Sequence, residues 1–163
     1  LTPSTVCLAI PLYQQLQLLK ANFKAVISGL VSGVITSLLT VYVLSLIMGL
    51  NHAQYVTLLP KSITTAIGMG VSEELGGYVN ITVAVIVITG VLGNIFADII
   101  CKVFRITDPI AKGLAIGNAS HAIGTARAME MGQIEGAMSS LAIAVAGILT
   151  VVGASLFAGF IPM

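Results

Sequence analysis

Two kinds of segment alternate along the chain. Residues 26–50 carry no charge, residues 79–101 carry one, Asp98, and residues 134–161 have only Glu135 near their start. Each run exceeds the roughly 20 apolar residues that a helix needs to cross a bilayer, so each is predicted to be a transmembrane helix. The segments around them differ. Residues 3–19 hold Pro3, Pro11 and a Gln-rich end, residues 60–77 read PKSITTAIGMGVSEELGG, and residues 113–132 contain Asn118, Ser120, His121, Thr125, Arg127 and Glu130. These three are rich in Gly, Pro, Ser and Thr, and each is about one membrane crossing long or less. Broken backbone at membrane depth survives only where protein or a wet cavity satisfies its polar groups. They read as re-entrant or discontinuous helices in an all-α, polytopic membrane bundle.

Composition fixes the class. Only 8% of the residues are charged, against about 25% in soluble domains, so this is an integral membrane protein. A net charge of +1 argues against a nucleic-acid partner. Lys20 and Lys24 precede the first long helix, Lys102, Arg105 and Lys112 follow the second, and the loop at residues 51–59 has no charge. The positive-inside rule puts both basic groups in the cytoplasm. Residues 60–77 must then enter from outside and return there, although a helix of that length could also just span. Cys7 and Cys101 sit in apolar stretches without His or Cys at ligand spacing, which suits packed thiols better than a disulfide or a metal pair. The chain opens on Leu1-Thr2-Pro3 without Met or a signal peptide, and reads as a fragment missing its start.

An offset of 56 residues places Ser62 on Asn118, Thr64 on Ser120, Ala66-Ile67-Gly68 on Ala122-Ile123-Gly124, Glu74 on Glu130 and Gly76 on Gly132. A long helix follows each copy. Ala-Ile-Gly is cheap in this composition, but the shared Glu and Gly favour an internal repeat over chance. With one copy entering from each side, the pair has inverted topology, and secondary transporters hold substrate where such segments meet.

Half-helix N-termini expose N–H groups that hold anions. Beside them, Ser62, Thr64, Thr65, Asn118, Ser120 and Thr125 supply hydroxyl and amide groups, and Lys61 and Arg127 supply charge. With His121 they form the candidate substrate-binding set for a small organic anion. Alternatives stand beside several of these. Arg127 could pair with Glu130 at i,i+3, Lys61 could snorkel to the interface beside Pro60, and His121 could be a packing histidine rather than a proton carrier. His121, Glu74 and Glu130 are the candidates for proton coupling or ion pairing. Glu73 reads as solvated at the outer surface, His52 as solvated in its loop, and Asp98 as a partner of Lys102 at i,i+4 without a functional role. Gly29/Gly33, Gly113/Gly117 and Gly132/Gly136 allow close helix packing and make a homodimer plausible. No nucleophile partners His121, and no metal or cofactor site is expected, so an enzyme is not expected.

The runs LPKSITTAIGMGVSEELGG (residues 59–77) and GLAIGNASHAIGTARAMEMGQIEGAMSSLA (residues 113–142), together with PSTVCLAIPLYQQLQLLK (residues 3–20), resemble the LrgB/CidB family, which includes YohK-like proteins and the C-terminal part of the plastid glycolate/glycerate transporter. The resemblance covers essentially the whole chain as one domain, residues 1–163, and implies that preceding N-terminal helices are absent. One position departs: relatives often have Pro where this chain has Ala66, which bears on how sharply the first broken segment kinks. The resemblance implies two functions. One is transport of small monocarboxylates or 2-hydroxy acids of the glycolate, glycerate or pyruvate type, with proton coupling an option. The other is holin- or antiholin-like modulation of murein hydrolase activity and lysis with a small LrgA/CidA-type membrane partner. It also implies a bacterial inner-membrane location. The paired polar broken segments favour transport.

Overall fold

The structure is a computed structural model that describes residues 13–161. Its regular structure, among the described residues, is entirely helical: α1 (Leu16–Ala21), α2 (Phe23–Met48), α3 (His52–Leu58), α4 (Thr65–Glu74), α5 (Val79–Val103), α6 (Pro109–Met131) and α7 (Gln133–Ala158). Cys7 and most of the polar segment at residues 3–19 lie outside the described residues. The three apolar runs become α2, α5 and α7, of 26, 25 and 26 residues. At 1.5 Å rise per residue each exceeds the ~30 Å hydrocarbon core. The result is a multi-pass helical membrane protein.

The expected loop at residues 51–59 is instead largely α3, and the reason is local. The Asn51 side chain accepts from Gln54 N at 2.9 Å, and the Gln54 side chain accepts from Asn51 N at 3.0 Å. This reciprocal capping satisfies two N–H groups that would otherwise be orphaned at the helix start. Just before it, Gly49 takes the left-handed conformation (φ 64°) that closes α2, and Leu50 N donates to Ser45 O at 3.0 Å. Glycine adopts that conformation without a Cβ penalty. Nor is His52 merely solvated: its Nδ1 donates to Ile161 O at 2.6 Å. Tyr55 Oη donates to Phe157 O at 2.9 Å, so the start of α3 is pinned to the far end of α7.

From there the chain turns twice. After α3 it breaks at residues 60–64, where Thr64 is extended (ψ 146°), and α4 runs back. Tyr78 N donates to Thr57 Oγ1 at 2.8 Å, and Thr82 Oγ1 lies 2.7 Å from Ser72 Oγ and 3.0 Å from Thr57 O. These bonds tie the start of α5 back beside α3.

The second reversal is inside α6. Asp108 caps it, with Oδ1 accepting from Ala111 N at 2.9 Å, and Pro109 follows at N1. At His121 the backbone leaves the helix (φ 42°, ψ −140°), dividing α6 into arms at residues 109–120 and 122–131. The second arm returns toward the end where the first began: Arg127 bonds Asp98 on α5, and Met131 shares a cavity with Lys102 and Lys112. The breaks at Thr64 and His121 fall within one residue of the 56-residue offset.

In lipid, apolar contact between helices brings little hydrophobic gain, so close approach governs packing. A Cβ on Gly113 would stand 2.8 Å from Met138 Cβ, and one on Gly117 2.8 Å from Ala142 Cβ, so the first arm of α6 lies hard against α7. Leu38, Tyr55, Leu59 and Ala154 form one core cluster, and Val26, Leu30, Leu114 and Met138 another. Ile35, Leu39 and Val43 on α2, and Ile88, Leu92 and Ile95 on α5, are exposed apolar faces suited to lipid.

Candidate functional site

The turn at residues 60–64 and the end of the first α6 arm both reach α2. Between α2, the first arm of α6 and the turn after α3 lies a cavity of about 730 Å³. Its polar lining includes Lys61 and Ser62 from one break, Asn118 from the end of the first α6 arm, and Thr36, Ser37 and Thr40 from α2. Ser62 and Asn118 are the positions that the 56-residue offset superposes.

Lys61 Nζ donates to Ser62 Oγ at 2.9 Å and Ser37 Oγ at 3.1 Å, and the two hydroxyls are 3.2 Å apart. Among the described residues, no carboxylate forms an ion pair with Lys61. Ser37 lies near the middle of α2, so the ammonium sits level with the middle of that helix. An ammonium there is costly unless something offsets its charge. Across the cavity, Asn118 Nδ2 donates to Leu30 O at 3.3 Å. It packs over Gly33, where any Cβ would collide with the amide. Asp108 lines the cavity toward the opposite end of α2, near Asn22.

Lys61, Ser62 and Asn118 are thus brought together, while the other expected residues lie elsewhere. Thr64 is the N-cap of α4, without a side-chain capping bond, and Thr65 opens that helix; neither lines the cavity. Ser120 is buried against Gly93, close enough that no Cβ would fit. His121 is buried, and its Nε2 lies 3.0 Å from Ile86 O. A carbonyl can only accept, so Nε2 carries the proton. Thr125 Oγ1 donates to His121 O at 2.9 Å and lies 2.7 Å from Ser139 Oγ. Together these groups buttress the break.

Arg127 is held between carboxylates. Nε donates to Asp98 Oδ2 at 2.8 Å, Nη2 donates to the same oxygen, and Nη1 donates to Glu130 Oε2 at 2.5 Å. The Glu130 pairing is one of the two sequence alternatives. The Asp98–Lys102 pairing is corrected, because a guanidinium on the neighbouring helix offers Asp98 two donors where an ammonium offers a point charge. Glu73 and Glu74 are exposed and in no ion pair among the described residues.

Sequence reasoning missed Thr36, Ser37 and Thr40, which lie inside the longest uncharged run. Their signal is the spacing: with Gly29 and Gly33 they recur at three and four residues, one helical face of small and hydroxyl side chains.

Fold and cavity together define a multi-pass membrane protein with an open cleft between helices that carries several polar side chains. A family model described as LrgB-like family matches residues 1–160, and the chain belongs to that family. Among similar proteins is the antiholin-like protein LrgB of Bacillus mycoides (strain KBAB4), 41% identical over 99% of this chain and 70% of that protein. The proteins of the same name from Bacillus cereus (strain B4264) and Bacillus anthracis (strain CDC 684 / NRRL 3495) are 40% identical over the same shares. No solved structure matches the chain significantly.

Proposed function

We propose that this chain is the substrate-holding part of a membrane transporter for small monocarboxylates or 2-hydroxy acids. The observation that carries the proposal is Lys61, an ammonium level with the middle of α2 whose hydrogen bonds go to two hydroxyls and whose cavity is shared with Asn118. A carboxylate entering the cavity would accept from Lys61 Nζ and from Ser62 or Ser37, and Asn118 would serve a 2-hydroxyl. Charge-assisted bonds of this kind are the strong ones. In this reading the two reversals are re-entrant hairpins of an inverted repeat, entering from opposite faces and meeting at the cavity. Arg127, neutralised by Asp98 and Glu130, holds the second hairpin rather than substrate. His121 at its tip is the candidate for coupling proton movement to hairpin motion.

A second reading has support from the relatives' names: an antiholin-like modulator of lysis, acting with a small membrane partner. Two assays separate them. Thermal shift of the purified full chain across a panel of glycolate, glycerate, pyruvate and neutral analogues should give stabilisation by carboxylates alone. A flat panel would remove the transport reading. Lysis timing that changes with Lys61→Met in step with carboxylate use would tie the two functions together; lysis timing indifferent to it would leave the antiholin role, if present, to another surface.

A further inference from the structure

A second cavity, of about 640 Å³, opens where α5 ends and α6 and α7 begin. Lys102 and Arg105 line it from the end of α5 and the turn beyond, and Lys112 from the first turns of α6. Among the described residues none of the three is in an ion pair. Two carboxylates also line the cavity. Asp98 is taken up by Arg127, which leaves Glu135 against three cations.

Arg105 occupies a special backbone position. It follows the α5 C-cap in the left-handed region (φ 53°), with Ile106 N donating to Cys101 O at 2.8 Å. Glycine is the favoured residue there, so arginine is present at a conformational cost. At the end of α5, Val103 and the C-cap residue Phe104 are 69% and 73% exposed. A basic cavity therefore adjoins an apolar edge, the arrangement of a head-group site whose acyl chains lie along the helix. Cytoplasmic-leaflet lipids are anionic and attract such groups, and arginine grips phosphate through two parallel bonds.

We propose that Lys102, Arg105 and Lys112 bind the phosphate of an anionic phospholipid at the cytoplasmic face. The site is separate from the Lys61 cavity and independent of what that cavity carries.

The test is native mass spectrometry of the full chain released from nanodiscs of equimolar phosphatidylglycerol and phosphatidylcholine. Wild type should retain phosphatidylglycerol preferentially. Each basic group contributes about fivefold, so the triple variant Lys102→Gln, Arg105→Gln, Lys112→Gln should lose on the order of a hundredfold. Lys102→Arg with Lys112→Arg should keep the preference. Arg105→Gly separates site from fold: it should raise thermal stability by suiting the left-handed position, while lowering phosphatidylglycerol retention. Equal retention by wild type and triple variant would overturn the proposal, as would a fall in both stability and retention for Arg105→Gly. Excess inorganic phosphate occupying the site without any lipid preference would overturn the lipid assignment.

Discussion

Replacing Lys61 with methionine should make this protein more stable and less able to hold a carboxylate. Lys61 Nζ is partly buried level with Ser37, and among the described residues it bonds only to Ser37 and Ser62. A lysine at the centre of a membrane helix costs about 2.5–3.5 kcal/mol on insertion scales. The two hydroxyl bonds and the open cavity recover much of this, so a gain of about 1 kcal/mol is expected from an uncharged side chain of similar length. Binding moves the other way. A hydrogen bond to a charged group contributes about 1.5–3 kcal/mol, which at 1.4 kcal/mol per decade is roughly ten- to a hundredfold in affinity. Thermal unfolding in detergent, with and without glycolate, reads both effects on one sample. Lower intrinsic stability with an unchanged glycolate shift would refute the reasoning, because Lys61 would then be a structural cation.

Ser45 Oγ is buried without a partner among the described residues, so Ser45→Ala should raise stability by about 1 kcal/mol, read by the same melting assay. A Cβ at Gly90 would stand 2.7 Å from His121 Cε1. Gly90→Ala should therefore displace the ring from Ile86 O and cost about 1–3 kcal/mol, with Gly90→Ser no better. Arg127→Ala should lower thermal stability yet leave carboxylate affinity unchanged. Adding Asp98→Ala should cost less than it does alone, a coupling that a double-mutant cycle measures.

Much of this architecture is legible in the sequence because lipid imposes simple demands. Apolar runs long enough to cross the bilayer had to be helices, and they are α2, α5 and α7. The Gly-, Ser- and Thr-rich segments at residues 60–77 and 113–132 pointed to both breaks, which fall at Thr64 and His121, because such residues favour caps and turns over helix interiors. Side-chain direction was not legible. Asn118 and Ser120 are two residues apart, yet one lines the cavity and the other packs on Gly93, because helical neighbours at that spacing point different ways. Asp98 looked like a partner of Lys102 because spacing shows only contacts within one helix, whereas Arg127 comes from another. The hydroxyls of α2 were hidden for a different reason: serine and threonine barely interrupt an apolar run, so Ser37 was invisible until Lys61 was seen bonded to it.

The most direct test of carboxylate transport through the Lys61 cavity is uptake of labelled glycolate, glycerate and pyruvate into proteoliposomes of the full chain. Wild-type vesicles should accumulate at least one of the three, and Lys61→Met vesicles should not. Wild-type flux no greater than that of empty vesicles, or flux undiminished in Lys61→Met, would contradict it.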